Sequence, residues 1–133
     1  LQNNPAKSDY QIMIGDACNL EDSIPKQWHS NISGVVLDPP YGRNSHGTYE
    51  HFDLISNTID SIRKVVSNKA KLVLIIPIKP NQNNDDIELL HGDWDEFVSM
   101  MNQSGVEIIN KFPEHVHASL ARLILLASIA PQD

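Results

Sequence analysis

One tetrad in this chain, Asp38-Pro39-Pro40-Tyr41, combines residue types that could do chemistry. It follows an apolar run at residues 32–37, which predicts a buried strand. Proline lacks a backbone N–H and holds the preceding residue extended, so the two prolines predict a stiff, non-helical turn. The Asp38 carboxylate and the Pro39 carbonyl would then form a rigid pair of acceptors beside an aromatic ring. Such a pair could hold the NH2 group of a planar base.

The apolar pattern of the chain predicts the elements that position this tetrad. In order they are strands at residues 10–14 and 32–37, a helix from about 49 to 68, a strand at 72–76, a polar excursion at 81–92, a helix at 94–101 closed by Gly105, and strands at 106–109 and 122–129 joined by a longer connection. This order predicts an α/β sheet, mainly parallel, with helices on its faces and an antiparallel final hairpin. Ligands bind at the carboxyl ends of the strands in such sheets, where we expect both Asp16 and Asp38 to lie.

Composition limits the classes of function that the chain can have. Its 133 residues suffice for one domain with a core, and no apolar run is long enough to span a membrane. The formal net charge of −7 is a poor match for a phosphate backbone. Many of the acids crowd residues 85–96, so the charge argues against nucleic-acid binding by this domain alone and only weakly against a nucleic-acid substrate held by another domain.

The cysteine and histidines indicate neither a disulfide nor a metal site. The single cysteine, Cys18, fits a reducing cytoplasmic compartment. Cytosine C5 methylation would need a thiolate, but the Pro-Cys dipeptide typical of that chemistry is absent, so we interpret Cys18 as a small, partly buried residue. The six histidines lack metal-ligand spacing; they are His29, His46, His51, His91, His115 and His117.

The tetrad and its extension resemble a known family. Asp38-Pro39-Pro40-Tyr41 is similar to the (Asp/Asn/Ser)-Pro-Pro-aromatic motif of Rossmann-like, S-adenosylmethionine-dependent amino-methyltransferases. With Gly42 and Arg43 added, it looks most like the subgroup that methylates guanine N2 in tRNA. The Gly-Asp-Ala stretch at residues 15–17 fits the same subgroup. The stretch at residues 117–122 also resembles that subgroup's His-Arg-Ser-Leu-(Thr/Ala)-Arg, although Ala118 replaces one arginine.

The resemblance implies roles for the substrate-side residues. Asp38 and the Pro39 carbonyl would hold both N–H bonds of the amine, with Pro40 stiffening the turn and Tyr41 stacking on the base. Arg43, after Gly42, would meet a phosphate or shape the loop. Ser119 and Arg122 could face the substrate, although a structural role in the closing hairpin is equally compatible with the sequence.

On the cofactor side, the resemblance implies that Asp16 accepts a hydrogen bond from the adenine amine, with Ala17 beside it and Asp38 at the reaction centre. Alternatives from the residues themselves remain open. Asp-Pro-Pro can be a plain helix-stopping turn, and Gly-Asp is a common turn pair.

Part of the family's pattern is missing. No Gly-x-Gly pair occurs, although a complete enzyme needs a glycine-rich turn after its first strand. Because this turn is missing, residues 1–133 look like the C-terminal half of a methyltransferase domain. The first residue is Leu1 rather than Met, which we interpret as the sign of an excised piece. We expect it to bind S-adenosylmethionine weakly or not at all and to be inactive alone.

Without the other half of the domain, an apolar edge of the sheet would be exposed. We hypothesise that the strand at residues 10–14 docks beside the tetrad strand, or that the edge is covered by another chain, either the missing half or a second copy.

Several functions remain open on the sequence. The leading one is methyl transfer to a nucleobase amine, most typically guanine N2 in tRNA recognised through additional domains. An adenine-N6 or cytosine-N4 DNA methyltransferase has the same chemistry. Protein-glutamine methylation is disfavoured because that group usually carries Asn at the first motif position. A non-catalytic interaction domain that has lost the cofactor loop is the alternative from another class.

Overall fold

The computed structural model describes residues 10–39, 48–80 and 86–132. Helices and strands alternate along the chain until a final β-hairpin. In order they are α1 (Leu20–Ser23), a 3-10 turn (Lys26–Trp28), β1 (Ile32–Leu37), α2 (Thr48–Arg63), β2 (Val66–Ile78), α3 (Trp94–Gln103), β3 (Val106–His117) and β4 (Leu120–Ile129). None of the described helices is both long and apolar enough to cross a lipid bilayer.

The four strands form one sheet in the order β1-β2-β4-β3. β1 and β2 pair in parallel, and their ladder ends where Leu37 lies opposite Leu74. β4 runs antiparallel to both of its neighbours, β2 and β3. The predicted α/β class is confirmed. The expectation of a mainly parallel sheet is wrong for the described strands, because the final hairpin places β4 beside β2 and makes two of the three pairings antiparallel.

One face of the sheet carries the hydrophobic core. Alternate residues of β2 and β4 point to this face and are almost fully buried, as the opposed Leu74 and Leu125 show. α2 packs on it through three isoleucines spaced about one turn apart; they are Ile55, Ile59 and Ile62. α3 adds Phe97 and Met101. Both of these helices therefore cover the same face, rather than one face each.

The opposite face of the sheet is apolar but lies outside this core. Its six central residues occupy adjacent register positions in two rows across the strands; they are Val36, Val73 and Leu126 in one row, and Ile75, Ile124 and Phe112 in the other. We call these six residues the open face. Val36 is 75% exposed and Phe112 is 49% exposed. Among the described helices, α2 and α3 cover the core face, and none packs on the open face in the same manner.

The predicted strand at residues 10–14 is wrong. This segment has no regular secondary structure, and Tyr10, Ile12 and Ile14 are largely exposed. A strand is held by ladder hydrogen bonds to a neighbour, and β1 is the edge of the described sheet with β2 as its partner. The hypothesis that residues 10–14 dock beside β1 is therefore also wrong, and Asp16 does not end a strand.

Several predicted boundaries differ from the structure, and β2 extends beyond the predicted 72–76 at both ends. The helix ends at Arg63 rather than near Ser67, because Val66 already begins β2. The connection predicted between the last two strands is instead the outer half of β3, and only Ala118 and Ser119 separate β3 from β4. Most of those outer residues are polar, and β3 forms an edge of the described sheet. An edge strand also tolerates Pro113, which cannot donate a ladder hydrogen bond.

Candidate functional site

Asp38 and Pro39 follow directly after β1, at the carboxyl end of the parallel β1–β2 pair. The strand ends here because Pro39 has no N–H to donate. Asp38 is exposed, whereas Pro39 is buried, so the turn is anchored in the protein while the carboxylate faces outward. The other motif residues, Pro40, Tyr41, Gly42 and Arg43, lie outside the described residues.

An open cleft of about 310 Å³ lies at this end of the sheet. Its walls come from the turn after β1, the end of β2, the segment before α3 and the start of β4. Asp38, Pro39 and Arg122, three residues selected from the sequence, line this cleft together. They meet because β4 is antiparallel to β2, so that its first residues lie at the same sheet end as the last residues of β1 and β2.

Arg122 forms an ion pair with Glu114, its direct cross-strand neighbour on β3. The Nη2–Oε1 distance is 2.5 Å, and both side chains are nearly half exposed. An exposed pair of this kind adds little to stability. A guanidinium carries five N–H donors, and one carboxylate cannot use all of them. Arg122 can therefore remain paired with Glu114 and still donate to a ligand in the cleft.

Ser119 lies in the two-residue turn of the hairpin and does not line the cleft. Its backbone N–H donates to His117 Nδ1 at 3.2 Å, and its hydroxyl lies 3.2 Å from the same nitrogen. These contacts close the turn between β3 and β4. The geometry of Ser119 is thus that of a turn residue, which is the structural role that the sequence left open.

Asp16 and Ala17 lie in a turn that leads into α1. Asp16 Oδ1 accepts a hydrogen bond from the Cys18 N–H at 2.9 Å, and the Asp16 carbonyl accepts one from the Asn19 N–H at 2.9 Å. This is the local geometry of a turn aspartate. Neither Asp16 nor Ala17 is among the residues that line the cleft. Cys18 is exposed rather than partly buried as expected, with Sγ 3.7 Å from Thr58 Oγ1.

Leu90 and His91 also line the cleft, although no motif in the sequence indicated them. They belong to the segment that was interpreted as a polar excursion. Ile87 and Leu89 of that segment are buried, and Leu89 forms a bridge with Ile78 at the end of β2. The alternation of Ile87 and Leu89 was the available signal, but it is too short to indicate a strand. Within the described residues, no cluster of His, Cys, Asp or Glu is arranged to hold a metal ion.

Solved methyltransferase structures have a similar fold. A protein of Thermus thermophilus named as an inferred DNA modification methylase aligns with 90% of this chain at 16% identity and a TM-score of 0.59. The complex of that protein with S-adenosyl-L-methionine aligns with a TM-score of 0.58, also at 16% identity over 90% of this chain and 53% of its own. A SAM-dependent methyltransferase of Methanosarcina mazei aligns at 11% identity with a TM-score of 0.55, over 90% of this chain and 67% of its own.

These identities are low, so the likeness concerns the fold, and the predicted Rossmann-like methyltransferase fold is confirmed. The chain spans 53% of the length of the Thermus thermophilus protein. No family model matches the sequence. No curated protein matches it either.

Proposed function

We propose that this chain is the substrate side of an S-adenosylmethionine-dependent methyltransferase that modifies an exocyclic amine of a nucleobase, with guanine N2 in tRNA as the leading target. The observation that carries the proposal is the cleft in which Asp38 and Pro39, at the carboxyl end of β1, face a shared space with Arg122. The fold of the solved methyltransferases supports the reaction class, and the Asp-Pro-Pro-Tyr-Gly-Arg motif supports the amine.

The chemistry of this chain's own residues is positioning. The lone pair of an aromatic amine is delocalised into the ring, which makes it a poor nucleophile. The exposed Asp38 carboxylate and the Pro39 carbonyl each accept one N–H of the amine, which favours a pyramidal nitrogen with a localised lone pair. Pro39 is buried, so the pair is held rigidly before the substrate arrives. In the proposal Pro40 stiffens the turn and Tyr41 stacks on the base, with Gly42 and Arg43 next to it.

The described residues do not provide a complete site for the cofactor. S-adenosylmethionine would supply the methyl group, but Asp16 and Ala17 lie outside the cleft lining. The sequence also lacks a Gly-x-Gly pair. We therefore propose that a further polypeptide segment completes the cofactor site and that this chain alone is inactive. Calorimetric titration of the chain with S-adenosylmethionine should detect weak binding or none; tight binding would contradict this part.

Methylation of adenine N6 or cytosine N4 in DNA is the second candidate. It is favoured by the similarity to the Thermus thermophilus protein, whose name refers to DNA modification. The amine chemistry at Asp38 is the same in both cases. A non-catalytic interaction domain is the third candidate, favoured by the incomplete cofactor side. For both methyltransferase candidates, the net charge of −7 argues against nucleic-acid binding by this chain alone, so we propose that additional domains recognise the nucleic acid. The lone Cys18 supports a cytoplasmic location.

The partner of the sheet edge is part of the same proposal. β1 is an edge strand of the described sheet, and its Val36 belongs to the open face. Unpaired strand edges readily pair with another chain. We propose that either the complementary half of the domain or a second copy of this chain covers this side.

The decisive experiment measures methyl transfer by the native protein that carries this chain. Unmodified tRNA and single-stranded DNA are incubated with methyl-labelled S-adenosylmethionine, and the products are digested to nucleosides and identified by mass spectrometry. We expect N2-methylguanosine from tRNA. Asp38→Ala should lower kcat on the order of 100-fold, because it removes one of the two acceptors for the amine. Asp60→Ala, at an exposed position of α2, is the matched control and should retain activity.

The product identifies the candidate. If the product is N6-methyladenine or N4-methylcytosine in DNA, the second candidate function is correct and the tRNA target is wrong. Full activity of Asp38→Ala, or a methylated protein as the product, would contradict the amine mechanism at this cleft.

A further inference from the structure

We propose that His91 is a substrate-contact residue on which the planar base stacks, and that His51 positions it. This inference rests on the proposed function, since it concerns the cleft that holds Asp38 and Pro39. It adds a residue that neither the motif nor its resemblance indicates.

The backbone on both sides of His91 is fixed. Before it, the Lys79 N–H donates to the Glu88 carbonyl at 2.9 Å and the Leu90 N–H donates to the Pro77 carbonyl at 3.2 Å. After it, Gly92 adopts a φ of +95° and the chain enters α3. His91 is therefore held between the end of β2 and the start of a helix, as a preorganised contact requires.

One face of the His91 ring is already covered. The rings of His91 and His51 are stacked, with centroids 4.3 Å apart and an angle of 15° between their planes. His51 belongs to α2 and is only 5% exposed. The buried ring supports the His91 ring from behind and fixes its orientation.

His91 also borders the cleft. His91 and His51 line a small inner cavity of about 10 Å³. His91 lines the cleft of about 310 Å³ that holds Asp38 and Arg122 as well, whereas His51 does not. Ile76 and Pro77 line both spaces too, so His91 lies at the boundary between the cavity and the cleft. In the proposal, a flat ligand in the cleft continues the stack on the face of the His91 ring away from His51.

The remaining walls of the cleft fit a heteroaromatic amine. Asp38 and the Pro39 carbonyl accept hydrogen bonds, while Leu90 and Leu120 are apolar. Arg122 offers guanidinium donors, which suit the O6 and N7 acceptors of guanine. Stacking on a ring is tolerant of base identity, because every base has a π-face. His91 would thus supply affinity for a base, and Asp38 would supply the selection for its amine.

The test is a nuclear magnetic resonance titration of the labelled chain with guanosine 5′-monophosphate and inosine 5′-monophosphate. The two nucleotides differ in the guanine N2 amine, which inosine lacks. We expect guanosine monophosphate to shift the His91 ring signals and to bind more tightly than inosine monophosphate. His91→Ala should weaken both nucleotides on the order of tenfold, because it removes the stacking surface. Asp38→Ala should instead abolish the preference for guanosine monophosphate.

Further variants separate stacking from folding. His91→Phe keeps a flat ring and should bind within a few-fold of the wild-type chain. His91→Leu retains side-chain volume and replaces His91→Ala if the latter fails to give a folded amide spectrum; it should show the same loss. His51→Phe should preserve the stack and the binding, whereas His51→Leu should weaken binding while the amide spectrum stays folded.

The outcomes distinguish this inference from the proposed function. If Asp38→Ala abolishes the preference but the His91 variants bind as tightly as the wild-type chain, only the role of His91 is overturned. If both nucleotides bind equally and Asp38→Ala has no effect, the proposed function is overturned, even where His91 still senses a base. If neither nucleotide shifts any cleft resonance at millimolar concentration, the role of His91 is overturned, and the methyl-transfer assay with the native protein decides the proposed function.

Discussion

At the scale of single residues, Gly105 shows how one backbone position fixes the junction between α3 and β3. Its φ of +83° lies in the left-handed region, which residues with a Cβ rarely adopt. A Cβ at this position would lie 2.6 Å from Arg63 Cζ. The guanidinium cannot simply move away, because Arg63 Nε donates to the Ala130 carbonyl at 2.8 Å. Gly105 therefore leaves free the space that the Arg63 guanidinium needs in order to reach the end of β4.

We expect Gly105→Ala to lower the free energy of unfolding by about 1–2 kcal/mol, because the left-handed backbone is strained for alanine. Urea denaturation followed by circular dichroism measures the change. Gly34→Ala is the matched control: a Cβ there meets no atom within 4 Å, so its effect should stay within about 0.5 kcal/mol. Equal effects of the two substitutions would contradict the role assigned to the Gly105 backbone.

The sequence was sufficient to position Asp38 but not His91. A strand followed by Asp-Pro-Pro must end at Asp38, because proline stops the ladder regardless of what surrounds it. By contrast, His91 reaches the cleft only because Leu89 bridges to Ile78 and His51 projects from a helix distant in sequence. Such neighbours are created by packing, and no local pattern encodes them. The role of Asp38 itself stays a prediction until transfer is measured.

At the scale of elements, the sequence predicted the buried parts of the sheet and the helices best. β2 has a continuous apolar run, which is typical of a buried strand. α3 has an amphipathic repeat closed by Gly105, which is typical of a helix. The failures were elements defined by a partner. Residues 10–14 have a strand-like composition but no ladder. The outer half of β3 is mostly polar yet paired, because β4 supplies its hydrogen bonds.

The start of α3 is stabilised by a side-chain cap. Asp93 is its N-cap, and its carboxylate accepts the Glu96 N–H at 3.1 Å. We expect Asp93→Ala to destabilise the protein by about 1 kcal/mol, because an N–H at the helix end loses its acceptor. Asp93→Asn retains a side-chain oxygen and should lie close to the wild-type protein in the same urea denaturation experiment. A destabilised Asn variant would indicate that the charge, rather than the cap, carries the effect.

At the scale of the whole molecule, the two faces of the sheet are unequally covered. Strands in parallel sheets usually have apolar residues on both faces because helices cover both. β2 and β4 follow that composition, yet α2 and α3 pack on the same face. Four of the six residues of the open face are only partly buried; they are Val73, Ile75, Ile124 and Leu126. The fold is therefore asymmetric, with a finished core on one side and an apolar surface on the other.

We expect the chain alone to self-associate through the open face, because contiguous exposed apolar surface favours association. Sedimentation equilibrium should give a concentration-dependent mass above 14.9 kDa. Val36→Lys combined with Phe112→Lys should restore the monomer. Both positions are exposed, and the ammonium groups of the new lysines would have to be desolvated in the contact. Ile12→Lys adds charge at a 91% exposed position outside the sheet and should leave the association unchanged. A wild-type chain that remains monomeric at all concentrations would contradict a second copy as the partner of this face.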